Sequence, residues 1–578
     1  MIITPTFNML SEIPLSEYPR PQFKRDSYLS LNGKWDYSIN TSPLKPTEFD
    51  GKILVPYSPE TELSGVSKMV KKGDFLHYKR TFNLTSEFLK DRVLINFGAC
   101  DQECKVFIND SFVGVHKGGY TPFSFDITKF LVKGENEIYL LVVDDASSDV
   151  YGRGKQVYKS GGIWYKPTSG LWQSVFIESV SENYIESLKL LPDYDNKKLK
   201  IIAVSSKNED IELETVLNGK SNSFTFKSGE EFSLDVKDYK EWTPDTPELH
   251  PIYLKSGEDK VESYFGIRKF SKERINGKYY FTLNNKPFFF NGLLDQGYYE
   301  GSYTPKSNLD LFEEIKQVKA LGFNMLRKHI KVEPMLWYYY CDVLGITVWQ
   351  DMINGGKPYS PVRIALLPFI KVNLNDNNYK LMGRDNPLSR EQYFKESTEM
   401  MNALYNVVSL ALYSPFNEGW GQFDAIKVTE YFKTIDDSRL YDHASGWIDK
   451  GGGDVYSRHV YFRKCKPKND KKRVLALTEF GGYSFPLENH TFCDKKFGYK
   501  MFQNGISYEN AYINLYENEI IPLIENEGLS ATVYTQLSDV EEEINGLFTF
   551  DRILKIDKEK LIKLNKKVYE SFNDLFKD

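Results

Sequence analysis

Two glutamates sit where the chain turns from apolar to polar in a single step. In "VSLALYSPFNEGWGQF", Glu418 follows Asn417 at the end of the apolar run 408–413, and Pro415, Gly419 and Gly421 break regular structure around it. In "VLALTEFGGYS", Glu479 ends a second apolar run, and Gly481 and Gly482 turn the backbone away at once. An isolated loop glutamate is most often just solvated. Two of them at matching positions can share a reaction. Cleaving a glycosidic bond needs a proton for the leaving oxygen and a negative group beneath the anomeric carbon, where positive charge develops. Carboxyls about 5 to 5.5 Å apart do both, with configuration retained. Like charge at that range also pushes one pKa upward.

The elements that must position these residues change rhythm along the chain. Up to about residue 270, short alternating stretches such as "RVLINFGA", "CKVFIND" and "EIYLLVVDD" are divided by turn residues, which predicts β-sandwiches. One is expected at 1–180 and a smaller one at 181–273, with "EWTPDTPELHPIYL" as an edge strand or inter-strand connection because of its prolines. From 274 to 578, strand-like runs alternate with amphipathic ones. Ser307 and Asp310 stand in capping-box spacing before a stripe of Leu311, Ile315 and Val318, and Gly322 ends that helix. Pro334 suits the first turn of the next helix, and Gly345 closes it. The runs "FFFNGLL", "FNMLR", "ITVWQ", "VVSLALY", "YDHAS", "DVYSRHVY", "VLALTEF" and "SATVYTQ" supply the strands of a (β/α)8 barrel. Chemistry in such barrels lies at the C-terminal strand ends, which is where Glu418 and Glu479 fall.

Composition narrows the partners. The 578 residues carry a formal net charge of -6 and no long basic tract, which argues against nucleic acid. Aromatic residues make up 15% and offer flat faces for sugar rings. The five cysteines show no C-x-x-C spacing and read as reduced thiols, with Cys100 and Cys104 able to meet across a turn. Neither a basic-then-apolar leader nor an apolar run of membrane length is seen, so a soluble, cytoplasmic protein is expected, a removed signal aside. The seven histidines form neither H-x-H nor H-E-x-x-H, and no metal or cofactor is expected.

The stretches "GLLDQGYYEGSYTP", "GFNMLRKHIKVEPMLWYYYCDVLGITVWQDM", "SPFNEGWGQFD", "TEFGGYS" and "NGLFTFDR", with "RPQFKRDSYLSLNGKWDY", "YKRTFNL" and "SYFGIRKF" before them, resemble glycoside hydrolase family 2, the group of β-galactosidases, β-mannosidases and β-glucuronidases. The resemblance covers nearly the whole chain. It implies a sugar-binding-like jelly-roll sandwich, an immunoglobulin-like sandwich and a catalytic TIM barrel acting as a retaining exo-β-glycosidase. It makes Glu418 the acid/base, Glu479 the nucleophile and Asn417 a ligand of the sugar 2-hydroxyl. Arg327 and His329 either position Glu479, bind hydroxyls or form a structural ion pair. Asp295 and Asp351 orient a hydroxyl or cap a helix. His459 and Tyr461 lie beside the nucleophile, where a tyrosine donates to it or merely packs. Trp420, Trp447 and Gln536 are read as subsite walls, with a core role as the alternative.

Glucuronidases of this family hold the substrate carboxylate with an Asn-x-Lys pair, and here Glu543, Ile544 and Asn545 take that place after Glu541 and Glu542. Such an acidic cluster would repel a uronic acid. Neutral sugars remain, β-galactosides first, with β-mannosides, β-glucosides and arabinopyranosides fitting the same residues and a non-catalytic carbohydrate-binding protein as the other class. The long segment 353–389 after the third barrel strand is expected to form the pocket rim and make the action exo. A homo-oligomer stays open.

Overall fold

The computed structural model describes residues 12–217, 219–299, 302–359 and 374–577. Near the N-terminus, a four-stranded sheet (order Leu29–Ser30, Val175–Val180, Arg92–Phe97, Phe123–Asp126) packs on a six-stranded one running from Gly51–Val55 to Ser111–Lys117. Alternation does the work: in Glu103–Ile108 every second residue is buried, so Cys104, Val106 and Ile108 join Trp35 and Ile95 in one core. Next comes a seven-stranded sandwich of a three-stranded and a four-stranded sheet, the strand count of an immunoglobulin-like sandwich. Here residues 241–249 of the proline-rich segment are the expected connection between strands, and only its end departs from expectation. His250–Ser256 is a strand with a neighbour on each side. It tolerates Pro251 because pairing with Ile211–Leu217 begins only at Ile252, so the missing N–H costs no ladder bond on that side.

The barrel strands are β1 (Phe290–Asp295), β2 (Met325–Lys328), β3 (Thr347–Asp351), β4 (Leu410–Ser414), β5 (Leu440–Tyr441), β6 (Val455–Val460), β7 (Val474–Gly481) and β8 (Ala531–Thr535). They form one parallel sheet, ordered β5-β4-β3-β2-β1-β8-β7-β6. The ring closes between β5 and β6 through the Asp454 N–H donating to Tyr441 O (2.7 Å), rather than through a ladder. Between them lie residues 442–454, and residues 461–473 link β6 to β7; neither connection contains a helix.

Strand alternation splits the apolar side chains into two groups. Phe290, Met325, Trp349, Leu412, Ala476 and Val533 cluster together, sealed by Phe281 from the hairpin 270–283. Leu293, Leu326, Val348 and Leu410 pack instead with the helices. Helix α1 (Asn308–Ala320) starts at the full Ser307/Asp310 capping box, and α2 (Met335–Leu344) starts after Pro334 as N-cap and ends at left-handed Gly345. Asp342 on α2 ties three units together. Its carboxylate accepts the Ser409 N–H (2.7 Å) ahead of β4 and the Tyr264 hydroxyl (2.8 Å) of the second sandwich. Among the described residues, no helix is long and apolar enough to cross a membrane.

Candidate active site

At the C-terminal rim the strand residues change from apolar to charged. β2 presents Arg327, β3 ends on Asp351, and the turn after β4 holds Asn417 and Glu418. Glu418 takes a left-handed backbone (φ 52°), unusual for a residue with a side chain. Its N–H donates to Ser445 O at 2.7 Å, which fixes the turn against the segment after β5. In β7 the ladder slips on both sides, between Arg458 and His459 toward β6 and between Leu477 and Phe480 toward β8. Such bulges re-aim a side chain, here Glu479. Gly481 (φ 83°) stands two residues on, and a Cβ there would meet the Tyr534 ring at 2.4 Å.

Arg327 organises the centre. Its guanidinium donates to Asp351 Oδ1 (3.0 Å), Glu479 Oε1 (3.2 Å), Thr478 O (3.0 Å) and Asn417 Oδ1 (2.9 Å). Glu479 also accepts a short hydrogen bond from the Tyr461 hydroxyl, and the Tyr461 ring stacks on Tyr499. His459 bridges the acids: Nδ1 lies 2.8 Å from Glu418 Oε1 and 3.7 Å from Glu479 Oε2. Its Nε2 meets the Ser445 hydroxyl at 3.0 Å, and that hydroxyl donates to Thr478 Oγ1 (2.9 Å). One oxygen of each glutamate and a ring nitrogen of His459 lie within 4.8 Å of one another.

The electrostatics separate the two carboxyls. Burial pushes Glu418 up to about 7, against the pull of Lys155, Arg327 and the Trp447 indole, while Glu543 adds to the rise. Burial raises Glu479 too, and Glu418 adds to it, but His459, Arg327 and the Tyr461 hydrogen bond work the other way. Burial takes His459 down to about 4, so its ring is neutral. A two-carboxylate, one-imidazole cluster is a donor set a divalent cation can use. Here the His459–Glu418 contact is a hydrogen bond, and the Arg327 charge beside Glu479 opposes a cation.

The structure therefore gathers Asn417, Glu418, Arg327, His329, Asp351, His459, Tyr461 and Glu479 at one place. His329 reaches it through Asp351 (Nδ1 to Oδ2, 2.6 Å) and has no described partner at Nε2. Asn417 Nδ2 is buried and unpartnered, a donor left over after Arg327 takes the amide oxygen. Trp447 packs its ring edge-on against His459, and Trp420 lies almost parallel to Tyr359, with Trp164 beside both. Two residues stand apart. Asp295 is engaged by Lys328 Nζ (2.5 Å) and the Gly297 N–H (2.8 Å). Gln536 accepts from Gln296 (2.8 Å) and leaves Nε2 buried without a partner. Neither side chain hydrogen-bonds the group around the glutamates, although the Asp295 carbonyl accepts the His329 N–H (2.9 Å). Beside Glu418 opens a cavity of about 210 Å³, walled by Tyr359, Leu374, Met382, Trp420 and Ile448. The described ends of segment 353–389 thus border the site; residues 360–373 lie outside the described ones.

Sequence reasoning missed Lys155, Trp164, Tyr359 and Ser445. The signal for the first two was loop length, because residues 144–169 connect two sandwich strands without a strand of their own. The Glu541–Glu543 cluster also has a structural task that its sequence reading did not include. Glu541 and Glu542 accept the Lys166 and Gly162 N–H groups (2.9 and 3.0 Å), and Glu543 accepts the Tyr165 hydroxyl, so these acids clamp the sandwich to the barrel.

Comparison with known proteins agrees with this architecture. The description "Glycosyl hydrolases family 2, sugar binding domain" matches residues 66–169, and "Glycosyl hydrolases family 2, TIM barrel domain" matches residues 274–476. A β-galactosidase of Halalkalibacterium halodurans is 22% identical over 86% of this chain and 47% of its own length. One of Clostridium acetobutylicum is 23% identical over 75% and 48%. The chain thus spans about half the length of the curated relatives it matches. Among solved structures, a Ruminococcus gnavus β-glucuronidase superposes with a TM-score of 0.75 at 16% identity, covering 96% of this chain and all of the other (100%).

Proposed function

The chain belongs to glycoside hydrolase family 2, and from that membership we propose that it is a retaining exo-β-glycosidase of terminal neutral β-sugars, β-galactosides foremost. The observation that carries this is the pairing of Glu418 and Glu479 within 4.8 Å through His459, with a neutral imidazole on one carboxyl and a guanidinium and a phenol on the other. Glu479 attacks the anomeric carbon while Glu418 gives its proton to the leaving oxygen. The glycosyl–Glu479 ester is then hydrolysed by a water that Glu418, now ionised, deprotonates. Arg327 and Tyr461 aim Glu479 and hold its charge until it is spent. The spare Asn417 Nδ2 donates to the 2-hydroxyl, a bond that strengthens in the transition state. Supporting a neutral sugar, Glu543 and Asn545 stand where a uronidase of the family would place its Asn-x-Lys pair, and the curated relatives above are named β-galactosidases.

The test is nitrophenol release from β-galactoside, β-glucoside, β-mannoside, β-glucuronide and α-L-arabinopyranoside substrates, with Glu479→Ala as the blank. Hydrolysis of one neutral glycoside, absent in the blank, is expected. Release that persists in Glu479→Ala, or no release from any substrate by folded protein, would refute the proposal.

A further inference from the structure

The sandwich reaches over the barrel mouth with residues 151–166. The Arg153 and Gly154 N–H groups donate to Asn354 O (2.9 and 3.1 Å), and the clamp of Glu541, Glu542 and Glu543 holds the far end. Lys155 stands between those anchors. It is 7% exposed, and its ammonium makes no hydrogen bond or ion pair with any described residue. The ring faces of Tyr165 and Trp420 lie 5.5 and 5.8 Å from Nζ. Other buried lysines are paired: Lys328 with Asp295 and Glu333, Lys331 with Glu333, Lys555 with Asp539. A lysine buried this far whose ammonium has no protein partner, set against the Trp420 that walls the cavity beside Glu418, points to a ligand. Among the charged neighbours acting on Glu418, Lys155 comes first.

We infer that Lys155 is a glycone-binding residue, donating from the sandwich to a hydroxyl of a neutral sugar seated between Trp420 and the two glutamates. The inference rests on the glycosidase reading above. A hydroxyl fits better than a carboxylate on charge grounds. Arg327 is already shared among four acceptors, and Glu479 and Glu543 are buried carboxyl side chains at this mouth. A single ammonium leaves no surplus of positive charge for an anionic glycone, whereas a hydroxyl needs only one donor. The site of the barrel is then completed by the sandwich.

Lys155→Met keeps the stem on the aromatic faces and removes the charge; Lys155→Gln serves the same end should the first not fold. Kinetics are read on the neutral nitrophenyl glycoside that wild type cleaves best and on the matching uronide. The expected result is KM raised about 10- to 100-fold for the neutral substrate, an unchanged melting temperature, and an alkaline limb moved to higher pH because Lys155 no longer pulls Glu418 down. Lys155→Arg should return the limb and part of the affinity. An unchanged KM overturns the inference while leaving the glycosidase reading intact. So does a wild-type preference for the uronide that Lys155→Met abolishes. Wild type inactive on every glycoside would fail the glycosidase reading itself, and this inference with it.

Discussion

Glu418 and Glu479 are both buried, and what bonds them separates the tasks proposed for them. Glu418 faces a neutral imidazole, which stabilises a protonated carboxyl as readily as an ionised one; Glu479 faces a guanidinium and a phenol, which favour the anion. The pH dependence follows with a definite sign. kcat/KM should fall as pH rises through about 7, where Glu418 loses the proton it would donate as the proposed acid. It should also fall in acid, as Glu479, raised above an ordinary glutamate, takes up a proton that the proposed nucleophile must lack. A pH–rate series checks both limbs, and Glu418→Gln should lose the alkaline one. An alkaline limb that survives in Glu418→Gln belongs to another group. The two glutamates were legible in the sequence because each ends an apolar strand beside glycines. Their partners were only partly so, since Ser445 and Lys155 enter through tertiary contacts that leave no spacing signal.

At the scale of elements, legibility followed local chemistry. Helix α1 was readable because Ser307 and Asp310 satisfy each other's backbone N–H groups, a bond formed within four residues. All eight barrel runs hold a strand, but β5 spans only Leu440–Tyr441 rather than the "YDHAS" expected. Past Tyr441 the side chains of the chain turn to local partners: Asp442 accepts the Ser457 hydroxyl, His443 the Lys450 N–H, and the Ser445 backbone pairs with the turn of Glu418. Those bonds replace the ladder and build the site. Hydrophobic period alone does not reveal them. The bulge that aims Glu479 was likewise invisible, because it depends on the register of β7 against two neighbours at once.

At the scale of the molecule, sandwich and barrel meet over the candidate active site rather than beside it. Segment 151–166 is held by acids that sequence reasoning assigned to repelling a charged sugar. Their removal should therefore act on binding geometry. The double variant Glu541→Ala/Glu542→Ala frees the Lys166 and Gly162 N–H groups, and KM is expected to rise about 3- to 10-fold as the segment loses about two hydrogen bonds, with kcat less affected. Steady-state kinetics on the preferred nitrophenyl glycoside measure this. A change confined to kcat, with KM constant, would mean that the clamp serves the chemistry of the glutamates and not the seating of the sugar.

The most direct test of the account is to trap the glycosyl-enzyme. Incubation with an activated 2-deoxy-2-fluoro-β-glycoside of the preferred sugar slows hydrolysis of the covalent intermediate, and peptide mass mapping then locates the label. The account predicts a single fluoroglycosyl group on Glu479. A label on Glu418, or turnover of the parent glycoside with no label at all, would contradict it.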